Sequence, residues 1–126
     1  MKKVIFSDKA PRPIGPYSQA IQVGNLVYLS GQIGILPETG NLVAGGVVAE
    51  TKQIFANLQA ILASINCTFD DIIKTTVYLT DLSKFNEMNN IYSQFFTKDF
   101  PARATIQVSA LPKGASVEIE AVAVVK

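Results

Sequence analysis

The run Val117-Glu118-Ile119-Glu120-Ala121-Val122-Ala123-Val124-Val125 constrains this chain more than any other segment. Alternation puts Val117, Ile119, Ala121, Ala123 and Val125 on one side of a strand, with Val122 and Val124 on the other. A strand apolar on both sides needs cover on both sides. The chain offers two helices for the purpose. Val47–Asn66 carries Val48, Ile54, Phe55, Leu58, Ile61, Leu62 and Ile65 at helical spacing, and Lys84–Thr97, capped by Asp81 or Ser83, carries Phe85, Met88, Tyr92, Phe95 and Phe96. Two helices cover only one face of a sheet. A second copy of the chain is the economical cover for the other face, so an obligate oligomer is expected.

The remaining elements are strands. Lys2–Phe6 is one; Ser18–Val23 and Leu26–Ser30, split by Gly24-Asn25, read as a hairpin. Between them, Pro11, Pro13, Gly15 and Pro16 force an irregular loop over Ala10–Tyr17. Gly31–Gly46 is glycine-rich and reads as a long loop with one short strand near Leu42-Val43. Asp70–Thr80 is a strand with Ile73, Thr75, Val77 and Leu79 on one side, and Arg103–Ala110 precedes the final strand. The expected order is β-β-β-α-β-α-β-β: an α+β fold, with one mixed sheet and two helices on one face, forming one domain over residues 1–126.

Charge and composition exclude several functions. Eleven basic residues stand against ten acidic ones, scattered along the chain, so no basic run marks a nucleic-acid footprint. No apolar stretch is long enough to cross a bilayer, and Ser7-Asp8-Lys9 interrupts the signal-like start Met1–Phe6, which makes the cytoplasm the expected location. There is no His, which removes the commonest general base, the Ser-His-Asp and Cys-His machinery and the usual zinc sites. The single cysteine, Cys67, forbids an intrachain disulfide and reads as a small buried hydrophobe. Catalysis on this chain must run on carboxylate, arginine, hydroxyls, backbone dipoles and water.

Two charged residues stand at the mouths of apolar strands. Arg103, one of only two arginines with Arg12, opens the penultimate strand, and Glu118 lies near the start of the last. A guanidinium fork grips a small carboxylate with two parallel hydrogen bonds, and a glutamate can hold or activate a water. Glu120 shares Glu118's face by alternation and competes for that role. Tyr17, behind the rigid Gly15-Pro16, is placed to lie over a small ligand; Ser30-Gly31 ends a strand where a glycine permits close backbone approach. Backbone N–H groups there, or at Thr105, are candidates to stabilise developing charge.

The segments Ile14-Gly15-Pro16-Tyr17-Ser18-Gln19-Ala20, Leu29-Ser30-Gly31-Gln32-Ile33, Asn89-Asn90-Ile91-Tyr92, Pro101-Ala102-Arg103 and Val117-Glu118-Ile119-Glu120-Ala121 resemble, in order, the signature segments of the RidA/YjgF family. The resemblance implies a chorismate-mutase-like fold of the bacterial trimeric type, and a homotrimer with clefts between adjacent subunits. It also implies hydrolysis of reactive 2-imino and enamino acids, such as 2-iminobutanoate and 2-iminopropanoate, to 2-oxo acids and ammonia without cofactor or metal. By the same resemblance, Arg103 and Glu118 are the catalytic pair, and Asn89 helps line the cleft with Tyr17, Ser30, Gly31 and Thr105. Thr105 stands where several relatives carry Cys, so no covalent thiol step is open at that position. Two other readings share the family: a non-catalytic trimeric binder of small 2-oxo or amino acids, and a ribonuclease or translation inhibitor. The second fits poorly with the scattered charge.

Overall fold

The computed structural model describes residues 1–126. Strands β1 (Lys3–Ile5), β2 (Ala20–Val23) and β3 (Leu26–Gln32) are followed by helix α1 (Gly46–Ala63) and β4 (Ile72–Leu79). Helix α2 (Phe85–Tyr92), β5 (Ala102–Gln107) and β6 (Val117–Val124) complete the chain. The order of elements is the one the sequence predicts. All six strands join one mixed sheet in the order β1-β2-β3-β6-β4-β5, antiparallel except for the parallel β4–β5 pair. That pair needs a crossover, which α2 supplies.

The two-sided last strand sits in the middle of the sheet, between β3 and β4. Its inward residues Val117, Ile119, Ala121 and Ala123 are buried, and they meet Val27 and Leu29 of β3, Thr75, Val77 and Leu79 of β4, and the Ile54, Phe55, Leu58, Ile61 and Leu62 stripe of α1. Both helices lie on this face. The other face carries no helix. Val4, Tyr28 and Ile106 are exposed there, and Ile21, Tyr78, Val122 and Val124 are only half-buried.

Two expectations needed correction. Ile73 does not share the inward side of Thr75, Val77 and Leu79. The β4–β6 register shifts between Ile72 and Lys74, a bulge that turns Ile73 outward and leaves Ile72 to fill the core. The second helix is also shorter than its apolar spacing predicts. It follows a 3₁₀ turn at Leu82–Lys84, where the Asp81 side chain accepts from Ser83 N, and it ends at Tyr92. Leaving the helix lets Phe95 stack on Phe55 at 4.4 Å between ring centres while Phe96 meets the same ring edge-on at 5.8 Å. The short strand near Leu42-Val43 is a single bridge between Ile35 and Leu42.

Candidate active site

Three of the predicted site residues come together. Tyr17, Gly31 and Glu118 line a cleft of about 550 Å³ at one end of the sheet, together with Arg12, Gln19, Gln32 and Lys113. Each wall has a local cause. The proline-rich loop is held by Gln19, whose buried side chain accepts from Ser7 N (2.7 Å) and donates to the carbonyls of Ser7 (3.0 Å) and Pro11 (2.9 Å). The Ser30 hydroxyl donates to Ser18 O at 2.6 Å and so pins that same loop to β3. Ser30's side chain is thereby a structural tie.

The floor is a bulge. Leu29 pairs with Ala121 and Gln32 with Ile119, so Ser30 and Gly31 together oppose the single residue Glu120. A Cβ on Gly31 would run into the Glu118 carboxyl group, lying 2.9 Å from its Cδ. The glycine expected to admit a ligand in fact admits the Glu118 side chain. That carboxyl is half-buried, and burial first, then the like charge of Glu120, raises it above the ordinary glutamate value. Glu120 itself is exposed and accepts a hydrogen bond from Tyr78 Oη at 2.7 Å. Of the two competing glutamates, Glu118 is the one in the cleft.

Arg103 is elsewhere. In the β4–β5 register it pairs with Thr75, which is buried under the helices, whereas Glu118 pairs with Tyr78, which points to the uncovered face. Neighbours in register share a face, so the guanidinium and the carboxylate project from opposite sides of the sheet. Arg103 lies against α2. Its Nη1 donates to Asn89 Oδ1 at 2.8 Å, and its Cζ stands 4.6 Å from the Tyr92 ring centre and 5.4 Å from that of Phe85. Thr105, two residues on, has its hydroxyl oxygen buried without a hydrogen-bond partner. The predicted residues thus form two half-sites, Tyr17–Gly31–Glu118 and Asn89–Arg103–Thr105, which one chain does not bring together.

The aromatic floor beneath Arg103 was not foreseen as part of the site. Periodicity marks Tyr92 and Phe85 as core, and nothing in the spacing says that a cation from another strand lies on them. No His, Cys, Asp and Glu side chains cluster in threes as a metal site needs, and no helix is long and apolar enough to cross a membrane.

A sequence model of the endoribonuclease L-PSP family matches residues 7–125. This chain belongs to that family. It is the RidA/YjgF family that the signature segments resemble, and the wider comparisons agree. The human protein named 2-iminobutanoate/2-iminopropanoate deaminase is 52% identical over 124 residues, covering 98% of this chain and 90% of the human one. RidA from the Antarctic bacterium Psychrobacter sp. is 45% identical with a TM-score of 0.94, covering 98% of this chain and 99% of the other. E. coli TdcF, whose crystal structure holds bound serine, is 40% identical with a TM-score of 0.93, covering 98% and 99%. The α+β architecture of this RidA/YjgF protein is therefore the family's fold.

Proposed function

We propose that this protein hydrolyses 2-imino acids, 2-iminobutanoate and 2-iminopropanoate among them, to 2-oxo acids and ammonia. We propose further that each site is shared between two copies of the chain in a homotrimer, one copy lending Arg103 and the other Glu118. The observation that carries the reading is a half-buried carboxyl with a raised proton affinity in a cleft, set beside identity above 50% to the human deaminase over nearly the whole chain. The uncovered apolar sheet face supports the assembly.

Arg103 takes the substrate carboxylate on the N–H groups that Asn89 leaves open, and this fixes C2 of the imine. With the imine nitrogen protonated, ionised Glu118 from the neighbouring copy accepts a proton from a water as its oxygen bonds to C2, and the C=N electron pair moves to the nitrogen, which becomes a neutral amine. The product is a carbinolamine. Glu118 returns the proton to that nitrogen, the C–N bond breaks, and loss of the hydroxyl proton leaves the 2-oxo acid and ammonium. Burial makes Glu118 a stronger base than a solvated glutamate, which suits it to taking the proton from water. Backbone N–H groups near Thr105 and the Tyr17 ring complete the enclosure.

A binder of small amino or 2-oxo acids uses the same arginine without the chemistry, and the serine bound to TdcF favours considering it. The two readings separate in one assay. Freshly generated 2-iminobutanoate is mixed with the protein, and ammonia and 2-oxobutanoate are followed. Release faster than in buffer is expected; buffer-rate release alongside measurable 2-oxobutanoate binding leaves only the binder.

A further inference from the structure

The geometry points to Tyr92 as the positioning residue for Arg103, its ring the bed on which the guanidinium is held and its hydroxyl the peg that holds the ring. This rests on the deaminase reading for its kinetic test, though not for its geometry.

Arg103 rises from β5, which pairs only with β4 and is an edge strand. A long side chain there ordinarily samples many rotamers and finds a surface carboxylate. Arg103 does neither. The ion pairs of this chain are Lys84–Glu87 and Lys126–Asp71, so the guanidinium has no carboxylate within 4.0 Å. A neutral amide, Asn89, and two neutral rings hold it instead. Its charge is kept in place and left without a counter-ion, the condition an anchor for a ligand carboxylate requires.

Of the two rings, Tyr92 is nearer and far more constrained. It is 5% exposed, packs against Phe55 and Phe96 at 5.6 and 4.9 Å between ring centres, and shares a 2.7 Å hydrogen bond with the hydroxyl of Thr75. Thr75 is fully buried and is the register partner of Arg103 on the adjacent strand. The chain of contacts therefore closes on itself: β5 presents Arg103, the ring beneath it is tethered to Thr75, and Thr75 is paired through the sheet to the residue that began the circuit. The ring holds the guanidinium carbon 4.6 Å from its centre, and the Asn89 hydrogen bond fixes the direction of Nη1. What remains is a defined edge for a fork of two hydrogen bonds.

Tyr92→Leu removes bed and peg; Tyr92→Phe keeps the bed. Tyr92→Leu is expected to lower kcat/KM for 2-iminobutanoate about 10-fold, the scale of a desolvated cation–π contact. The loss should fall mainly in KM, with a matching loss of 2-oxobutanoate affinity by calorimetry. Tyr92→Phe should recover the activity to within about threefold. In an Arg103→Ala background, Tyr92→Leu should cost nothing further, because the residue acts only through the guanidinium. An equal loss in that background, or a loss confined to kcat, would make Tyr92 a core residue and overturn the assignment. If Tyr92→Leu fails to fold, Phe85→Leu in the same two backgrounds asks the same question at the half-buried second ring, and additivity with Arg103→Ala sinks the idea. Product affinity is read whether or not the protein turns over, so a failed deaminase assay leaves the positioning test standing.

Discussion

The two half-sites are built in opposite ways. Around Arg103 the fixing is done by side chains, two rings and an amide from α2. Around Glu118 it is done by backbone: a bulge at Ser30-Gly31, with a glycine against which the carboxyl lies. Yet the halves have one property in common. Neither charge has an ion-pair partner in its own chain. An arginine and a glutamate on one face of one sheet would neutralise each other; a sheet between them keeps the cation and the base available for a ligand. In the shared site we propose, separation within the chain leaves the two free to meet across copies.

That contrast has a decisive test. Arg103→Ala and Glu118→Gln are each expected to lose about 10²-fold or more in kcat/KM, the scale of a lost charge anchor or a lost general base. If the halves meet between copies, unfolding the two dead variants together and refolding them should regain activity, since some mixed assemblies contain one intact pair. Activity that stays at the level of the separate variants would mean that the halves never meet. Gly31→Ala sharpens the carboxylate side. Its Cβ displaces the Glu118 carboxyl, and kcat should fall about 10-fold or more, while 2-oxobutanoate affinity, governed by Arg103, changes little. Equal losses of rate and affinity would merge the two halves into one. The smallest effect concerns pH. The raised proton affinity of Glu118 puts the acid limb of kcat/KM above the ordinary glutamate value, with activity lost as pH falls through it. Glu120→Gln removes the like charge, the lesser of the two causes, and should move that limb down without abolishing the elevation due to burial. A limb that stays put would mean that another group titrates.

Element order and core were legible because apolar periodicity records them. The α1 stripe from Ile54 to Leu62 and the inward set Val117, Ile119, Ala121 and Ala123 read straight into the core. The bulge that turns Ile73 outward was not legible, because a register shift leaves no trace in alternation until the partner strand is known. The end of α2 was missed for a related reason: Phe95 and Phe96 fit a helical stripe on paper, but both were wanted by Phe55. At the site, residue chemistry picked out Arg103, Glu118, Gly31 and Tyr17. It had no means of knowing the registers in which β4 pairs with β5 and β6, and so that the pair faces apart. The choice between Glu118 and Glu120, open on the sequence, rests on the cleft, which Glu118 lines while Glu120 accepts from Tyr78, some forty residues away in sequence.

The strand order has a consequence for how the molecule comes into being. β6, eight residues long, follows every other strand in the chain yet lies between β3 and β4. Until it emerges from the ribosome, a nascent polypeptide holds a hairpin unit and a βαβ unit, each with a raw inner edge and no keystone between them. Folding is closed by pairings distant in sequence on one side, and slow steps of that kind leave unpaired edges open to other chains. Loss of this one strand would not shave the fold but part it down the middle.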